Sequence, residues 1–160
     1  MQKTRFNQIY KTLSQKIFNY ALWLTRNRDA SVEIVQSVFI KLWKSRILHS
    51  EDSEIEAWLI TVTRTTSMDF YRKTARFSKL RLKYFKEAPL KCDESEDNRE
   101  IWMLLDDLSE KERSILYLRF RMGHSFGEIA TTLEMTESAV RVASMRALEK
   151  LREKHGKDLL

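Results

Sequence analysis

The chain has 160 residues, with 29 Lys and Arg against 23 Asp and Glu for a formal net charge of +6, and it contains three Gly and one Pro. Sheets joined by tight turns need many residues that accept positive φ or preset φ, so sandwiches, barrels and Rossmann-type sheets are excluded and an all-α fold is expected. A single Cys92 excludes an internal disulfide and a cysteine-based zinc site, and no apolar run reaches the ~18–20 residues of a membrane span.

The amphipathic pattern starts almost at Met1, so no signal peptide is expected and the chain reads as soluble and intracellular. Phe6, Ile9, Tyr10, Leu13, Ile17, Tyr20, Ala21 and Leu24 repeat at helical spacing and predict a helix over 6–24 with those residues on one face. Asn27, Arg28 and Asp29 break the pattern. A second helix is predicted over 31–45, with Val35, Val38, Phe39, Leu42 and Trp43 apolar; so wide an arc suggests two partners, its own core and an external one. Residues 49–53 are polar and end in a Ser53–Glu56 pair spaced as a capping box, which opens a third helix. Ile55, Trp58, Leu59 and Val62 would face the core, and the pattern runs on through Phe70. Three helices in about 75 residues suffice for a small bundle of three to four helices.

Beyond Arg76 the apolar period fades, Pro89 interrupts it, and the acidic run 93–97 has nothing to bury. Residues 78–98 therefore read as a linker between a first domain, 1–77, and a second, 99–160. The second starts with Ile101, Trp102, Leu104, Leu105 and Leu108. Two further capping boxes, Ser109 with Glu112 and Ser125 with Glu128, open helices carrying Ile115, Leu116 and Leu118, then Ile129, Ala130 and Leu133; Gly123 stops the first of them. After a short turn at Glu134 and Met135, Thr136 caps a last helix with Val140, Ala147, Leu148 and Leu151 inward.

Charge is not spread evenly. Residues 1–76 hold 13 basic and 7 acidic side chains, whereas 99–160 hold 11 of each. From Arg64 to Lys86 eight basic residues accompany one acid, Asp69, and are mixed with Phe70, Tyr71, Phe77, Tyr84 and Phe85. A single-sign block interleaved with aromatics suits a polyanion with accessible bases.

Catalysis finds no support. His49, His124 and His155 lie in different segments and lack metal-pair spacing, Asp106 and Asp107 point about 100° apart on a helix, no glycine-rich phosphate loop exists, and Cys92 lies among acids that disfavour its thiolate. No cofactor, metal or small-molecule substrate is expected. By contrast, 125–148 has the plan of a helix-turn-helix. Ile129, Ala130 and Val140 would join its helices, and Ser138, Ala139, Arg141, Val142, Met145 and Arg146 would be offered to a major groove.

These segments resemble a known family. Residues 108–120 (LSEKERSILYLRF), 125–130 (SFGEIA) and 146–152 (RALEKLR) look like domain 4 of sigma-70-family initiation factors. Residues 33–43 (EIVQSVFIKLW) are similar to the family's polymerase-binding helix, and 57–73 (AWLITVTRTTSMDFYRK) to its promoter-melting helix. Domain 2, a linker and domain 4, without domain 3, is the layout of the extracytoplasmic-function (ECF) group. The resemblance implies binding to core RNA polymerase through Gln36, Ser37, Ile40 and Lys41, and Trp58 matches a family core position; Phe39 and Trp43, large and apolar at helical spacing, are expected to hold the domain's own core. It implies a loop that borders a pocket for a flipped base of the minus-ten element, with His49, Ser50, Asp52 and Ser53 as contacts. Arg64, Thr65, Arg72, Lys73 and Arg76 would hold the melted strand, and the helix-turn-helix residues named above would read the minus-thirty-five element.

It implies further an anti-sigma protein, often membrane-bound, that would hold a cytoplasmic factor at the inner membrane. The chain departs from the family at Thr65 (often Asn), at Glu134 (usually a turn glycine, so a positive φ is expected here), at Ser144 (commonly Leu) and at Ala143 (usually basic). The competing reading is a stand-alone helix-turn-helix regulator that uses DNA but not polymerase.

Overall fold

The computed structural model describes residues 1–77, 105 and 107–155. Every regular element among them is helical, and the chain divides into two compact units, 1–92 and 93–160. The proposed linker 78–98, with Cys92, lies outside the described residues, as do Ile101, Trp102, Leu104 and Asp106.

The first unit is a bundle of α1 (Gln2–Thr25), α2 (Arg28–Lys44) and α3 (Asp52–Phe77), each packed on the other two. Ile9, Leu13, Ile17, Tyr20, Ala21 and Leu24 of α1 are buried, as periodicity requires, but Tyr10 is 45% exposed at the edge of that face. The break after α1 is shorter than the sequence suggested. Arg26 takes a left-handed conformation, and Asn27 Oδ1 accepts the Ala30 N–H at 3.0 Å, so α2 begins at Arg28 rather than Ser31. Buried hydroxyls complete this corner: Thr25 donates to the Ala21 carbonyl at 2.8 Å, Ser31 to the Asn27 carbonyl at 2.7 Å, and the two oxygens lie 3.0 Å apart. The Thr25 and Ser31 hydroxyls therefore each have a partner, so burying them costs little.

Between α2 and α3 the chain forms a short 3₁₀ turn, Arg46–His49, which Ser45 caps and buried Leu48 anchors. The expected Ser53–Glu56 capping box is not formed. Helix α3 starts at Asp52, and the Ile55 N–H already bonds the Glu51 carbonyl at 3.0 Å, so Ser53 lies inside the first turn. Glu56 instead pairs with Lys16 of α1, which keeps it from reaching back. The core face of α3 differs too. Ile55 and Leu59 are fully buried, but the stripe continues through Thr63 and Ser67, while Trp58, Val62 and Phe70 are half-buried. Thr63 and Ser67 donate to the carbonyls one turn back, at 2.6 and 2.8 Å, which is how hydroxyls sit in a helix core without stranded donors.

The second unit contains α4 (Glu110–Leu116), a π-helical turn (Tyr117–Arg121), α5 (Phe126–Leu133) and α6 (Glu137–His155). Both predicted capping boxes are present: Ser109 Oγ accepts from the Glu112 N–H at 3.2 Å and Ser125 Oγ from the Glu128 N–H at 3.1 Å, each glutamate returning to the serine N–H. Gly123, at φ +72°, turns the chain after the π segment. Leu108, Ile115, Leu118, Ile129, Leu133, Val140 and Ala147 form the core, with Ser144 buried among them; Leu148 and Leu151 are half-buried.

Helix α5 ends in a Schellman turn, with the Met135 N–H on the Ala130 carbonyl at 2.9 Å and the Glu134 N–H on the Thr131 carbonyl at 3.4 Å. Glu134 sits at φ +54°, the positive value that its place in a glycine turn foretold. A left-handed side-chain residue costs about 1–2 kcal/mol, part of which glycine returns through unfolded-state entropy. Glu134→Gly should therefore raise amide-exchange protection in α4–α6 about two- to five-fold, and Glu134→Val should lower it. Equal protection in all three proteins would show that the turn carries no strain.

Candidate functional site

Helix α2 presents two faces. Ile34, Val35, Val38, Phe39 and Leu42 are buried in the bundle. Val32, Gln36, Ile40 and Trp43 recur at three- and four-residue steps on the outside, and Ile40 is 55% exposed. Of the residues expected to meet polymerase, Gln36 and Lys41 are exposed with Ile40, and Ser37 is half-buried beside them. Lys41 Nζ donates to Thr66 Oγ1 of α3 at 3.1 Å, which ties this face to the next helix.

Trp43 requires a correction. The sequence placed it in the core with Phe39, but it is 40% exposed. Position 42 already fills the inward register, so the indole lies at the rim, edge-on to Phe6 with ring centroids 5.2 Å apart. Trp43, which size and spacing assigned to packing, thus joins Val32 and Ile40 in an exposed apolar stripe. Exposed large apolar residues gathered on one face mark interaction sites, whereas scattered ones do not.

The expected loop 49–53 is divided among three elements. His49 closes the 3₁₀ turn, Ser50 links it to Glu51, and Asp52 and Ser53 open α3. His49, Asp52 and Ser53 are exposed and Ser50 is half-buried. Arg5 of α1, which no local pattern singles out, donates to the Ser50 carbonyl at 3.1 Å and to Asp52 Oδ1 at 2.5 Å, fixing the connection from outside. A cavity of about 160 Å³ lies beside this tie, lined by Arg5, Gln8, Ile9, Asp52, Ile55 and Glu56 among others.

Farther along α3, Thr65, Arg72 and Lys73 are exposed and Arg64 is half-buried, while the Arg76 side chain lies outside the described residues. Arg72 has Asp69 at 3.6 Å, and Tyr71 Oη donates to the Leu24 carbonyl at 2.7 Å, holding this part of α3 on the bundle. Thr65 donates to the Thr61 carbonyl at 2.9 Å, so its hydroxyl is occupied within the helix.

On α6 the two sides separate as a groove-reading helix needs. Val140, Ser144 and Ala147 are buried against α4 and α5, while Ser138, Arg141, Val142, Met145 and Arg146 are exposed and Ala139 is half-buried. Val142 and Met145, 46% and 62% exposed, add apolar surface to an otherwise polar face. Ser144, where the family resemblance leads one to expect leucine, is buried. The Tyr117 phenol is pushed above its ordinary range by burial, with the Arg121 charge and hydrogen bond acting in the opposite sense, so it remains protonated at neutral pH. Among the described residues, no three His, Cys, Asp or Glu side chains converge as a metal site, and no helix is long and apolar enough to cross a membrane.

The family model described as Sigma-70 region 2 matches residues 9–77, and that described as Sigma-70, region 4 matches residues 104–153. The chain is 27% identical over 163 residues to the ECF RNA polymerase sigma factor SigX of Bacillus subtilis, covering 95% of this chain and 84% of that protein. It is 25% identical over 151 residues to the ECF RNA polymerase sigma factor SigL of Mycobacterium tuberculosis, covering 90% and 85%. Among solved structures, the fold is similar to that of the sigma factor RpoE in complex with the anti-sigma factor NepR from Bartonella quintana (TM-score 0.73, 20% identity, 96% of this chain and 98% of that one). It is also similar to CnrH in complex with the cytosolic domain of CnrY (TM-score 0.69, 21% identity, 96% and 88%).

Proposed function

The chain belongs to the sigma-70 family, and from that premise we propose the division of labour by which it acts as an ECF-type sigma factor, binding core RNA polymerase, recognising and melting promoter DNA and directing initiation. The first unit supplies polymerase binding through the outer face of α2, with Gln36 and Ile40 at its centre and Ser37 and Lys41 beside them. The start of α3, with the preceding turn, meets the minus-ten element through His49, Ser50, Asp52 and Ser53. Arg64, Thr65, Arg72, Lys73 and Arg76 hold the opened strand. Opening costs a few kcal/mol per extruded base, which cationic contacts to the backbone and contacts to the freed base must offset. The second unit reads the minus-thirty-five element through the exposed side of α6.

Residues 78–98 join the two as a linker. The protein performs no catalysis of its own; bond formation belongs to the polymerase. It works in the cytoplasm, and an anti-sigma protein, such as those bound to the two structural neighbours, restrains it, at the inner membrane if that protein is membrane-bound.

The observation that carries this reading is the exposed apolar stripe on α2. A stand-alone regulator needs the α5–α6 hairpin but has no use for that stripe. Run-off transcription tests the reading. Core enzyme supplemented with the protein should initiate at a subset of promoters in genomic DNA that core enzyme alone ignores. No protein-dependent transcript, together with no retention on immobilised core enzyme, would leave the stand-alone regulator as the better account.

A further inference from the structure

Arg141, in the second turn of α6, does not project freely. Its Nη2 donates to Glu137 Oε1 at 2.7 Å one turn earlier, and its guanidinium carbon lies 4.8 Å from the centroid of the Phe126 ring. That ring is itself held. Phe126 is the first residue of α5, directly after the N-cap Ser125 and inside the Ser125–Glu128 capping box. The Arg119 guanidinium lies 4.3 Å from the same centroid and is tied to the His124 carbonyl at 3.1 Å. The Glu137 carboxylate also rests against α5, since a Cβ at Gly127 would lie 3.6 Å from Glu137 Oε2. Two arginines thus share one aromatic ring, and a carboxylate holds the outer one.

Resting on the assignment of α6 to the minus-thirty-five element, we propose that Phe126 and Glu137 are positioning residues that fix the Arg141 guanidinium for a guanine edge. The local charge favours a base over a phosphate. An arginine already paired with a carboxylate is a poor counter-ion for the DNA backbone, and Glu137 repels phosphates nearby. What the pair still offers is a planar set of donors: guanidinium carries five N–H groups, of which Glu137 engages one nitrogen. Two adjacent acceptors in the major groove, O6 and N7, belong to guanine. Stacking and the carboxylate restrict the side-chain rotamers, so less freedom is lost when the fork engages.

The test uses the full-length protein with core polymerase and a promoter library randomised across the minus-thirty-five element, read by sequencing the transcribed templates. Wild type should show a guanine preference at one position. Arg141→Ala should abolish that preference and leave the other positions intact. Glu137→Gln and Phe126→Leu should each weaken it about three- to ten-fold at the same position, and Phe126→Tyr, which keeps the ring, should retain it. Glu137→Gln alters one exposed atom and so tests positioning without threatening the fold.

If Arg141→Ala lowers transcription of all templates equally and reduces its salt dependence, Arg141 is a phosphate contact and the proposal fails. The positioning role also fails if the Glu137 and Phe126 variants keep the wild-type preference. Absence of any transcript with the wild-type protein would overturn the initiation-factor reading first, and this proposal with it.

Discussion

Ile40→Asp is expected to reduce affinity for core RNA polymerase by roughly thirty-fold or more, the effect of losing a central apolar anchor worth ~2 kcal/mol or above. Ile40 is the more exposed of the large apolar residues on α2, and the side chains behind it, Val38, Phe39 and Leu42, are buried. The substitution therefore changes the surface and spares the core. Burying an aspartate against an apolar partner adds a desolvation penalty to the lost contact. Competition against labelled wild-type protein for core enzyme would measure the loss. Gln36→Ala should act in the same direction with a smaller effect, and the helical content of both variants should match wild type. Near-wild-type affinity for Ile40→Asp would remove the outer face of α2 from the polymerase interface.

Leu59→Ala should be the most damaging single truncation inside the first unit. The residue is fully buried, and leucine-to-alanine changes in cores cost about 2–5 kcal/mol through lost transfer energy and the cavity left behind. A small bundle has a limited margin, because short domains bury a lower fraction of their unfolded surface. Urea denaturation followed by hydrogen exchange should show α1–α3 losing protection together. The amides of α4–α6 should be unaffected, since they pack around a separate core. A loss below 1 kcal/mol would mean that the bundle closes around the gap.

Capping chemistry made most of the second unit legible in the sequence. Ser109, Ser125 and Thr136 each sit where a helix begins, and Glu134 announced its positive φ by occupying a glycine position. The exposed side of α6 was legible as well, since fixing the register of Val140 and Ala147 fixes Arg141, Val142 and Met145 outward.

The first unit was harder because hydrophobicity and angular position disagree there. Trp43 and Trp58 are large and apolar, yet their places on the helices leave them at the rim. Thr63 and Ser67 are polar, yet they lie on the inner stripe and satisfy their hydroxyls locally. The spacing at 53 and 56 imitated a capping box because it ignored Lys16, forty residues away, which claims Glu56. Arg5 was invisible for a related reason: its partners, Ser50 and Asp52, are set by tertiary folding and by no local pattern.

The start of α1 has a practical consequence for anyone handling the protein. Gln2 donates its side-chain amide to the Trp43 carbonyl at 3.1 Å, so the first turn of the chain ends beside the rim of the outer α2 face. Any affinity tag or fluorescent fusion placed ahead of Gln2 emerges next to that face and competes sterically with whatever docks there. Labels for pull-downs and single-molecule work therefore belong at exposed side chains of the first unit remote from Trp43.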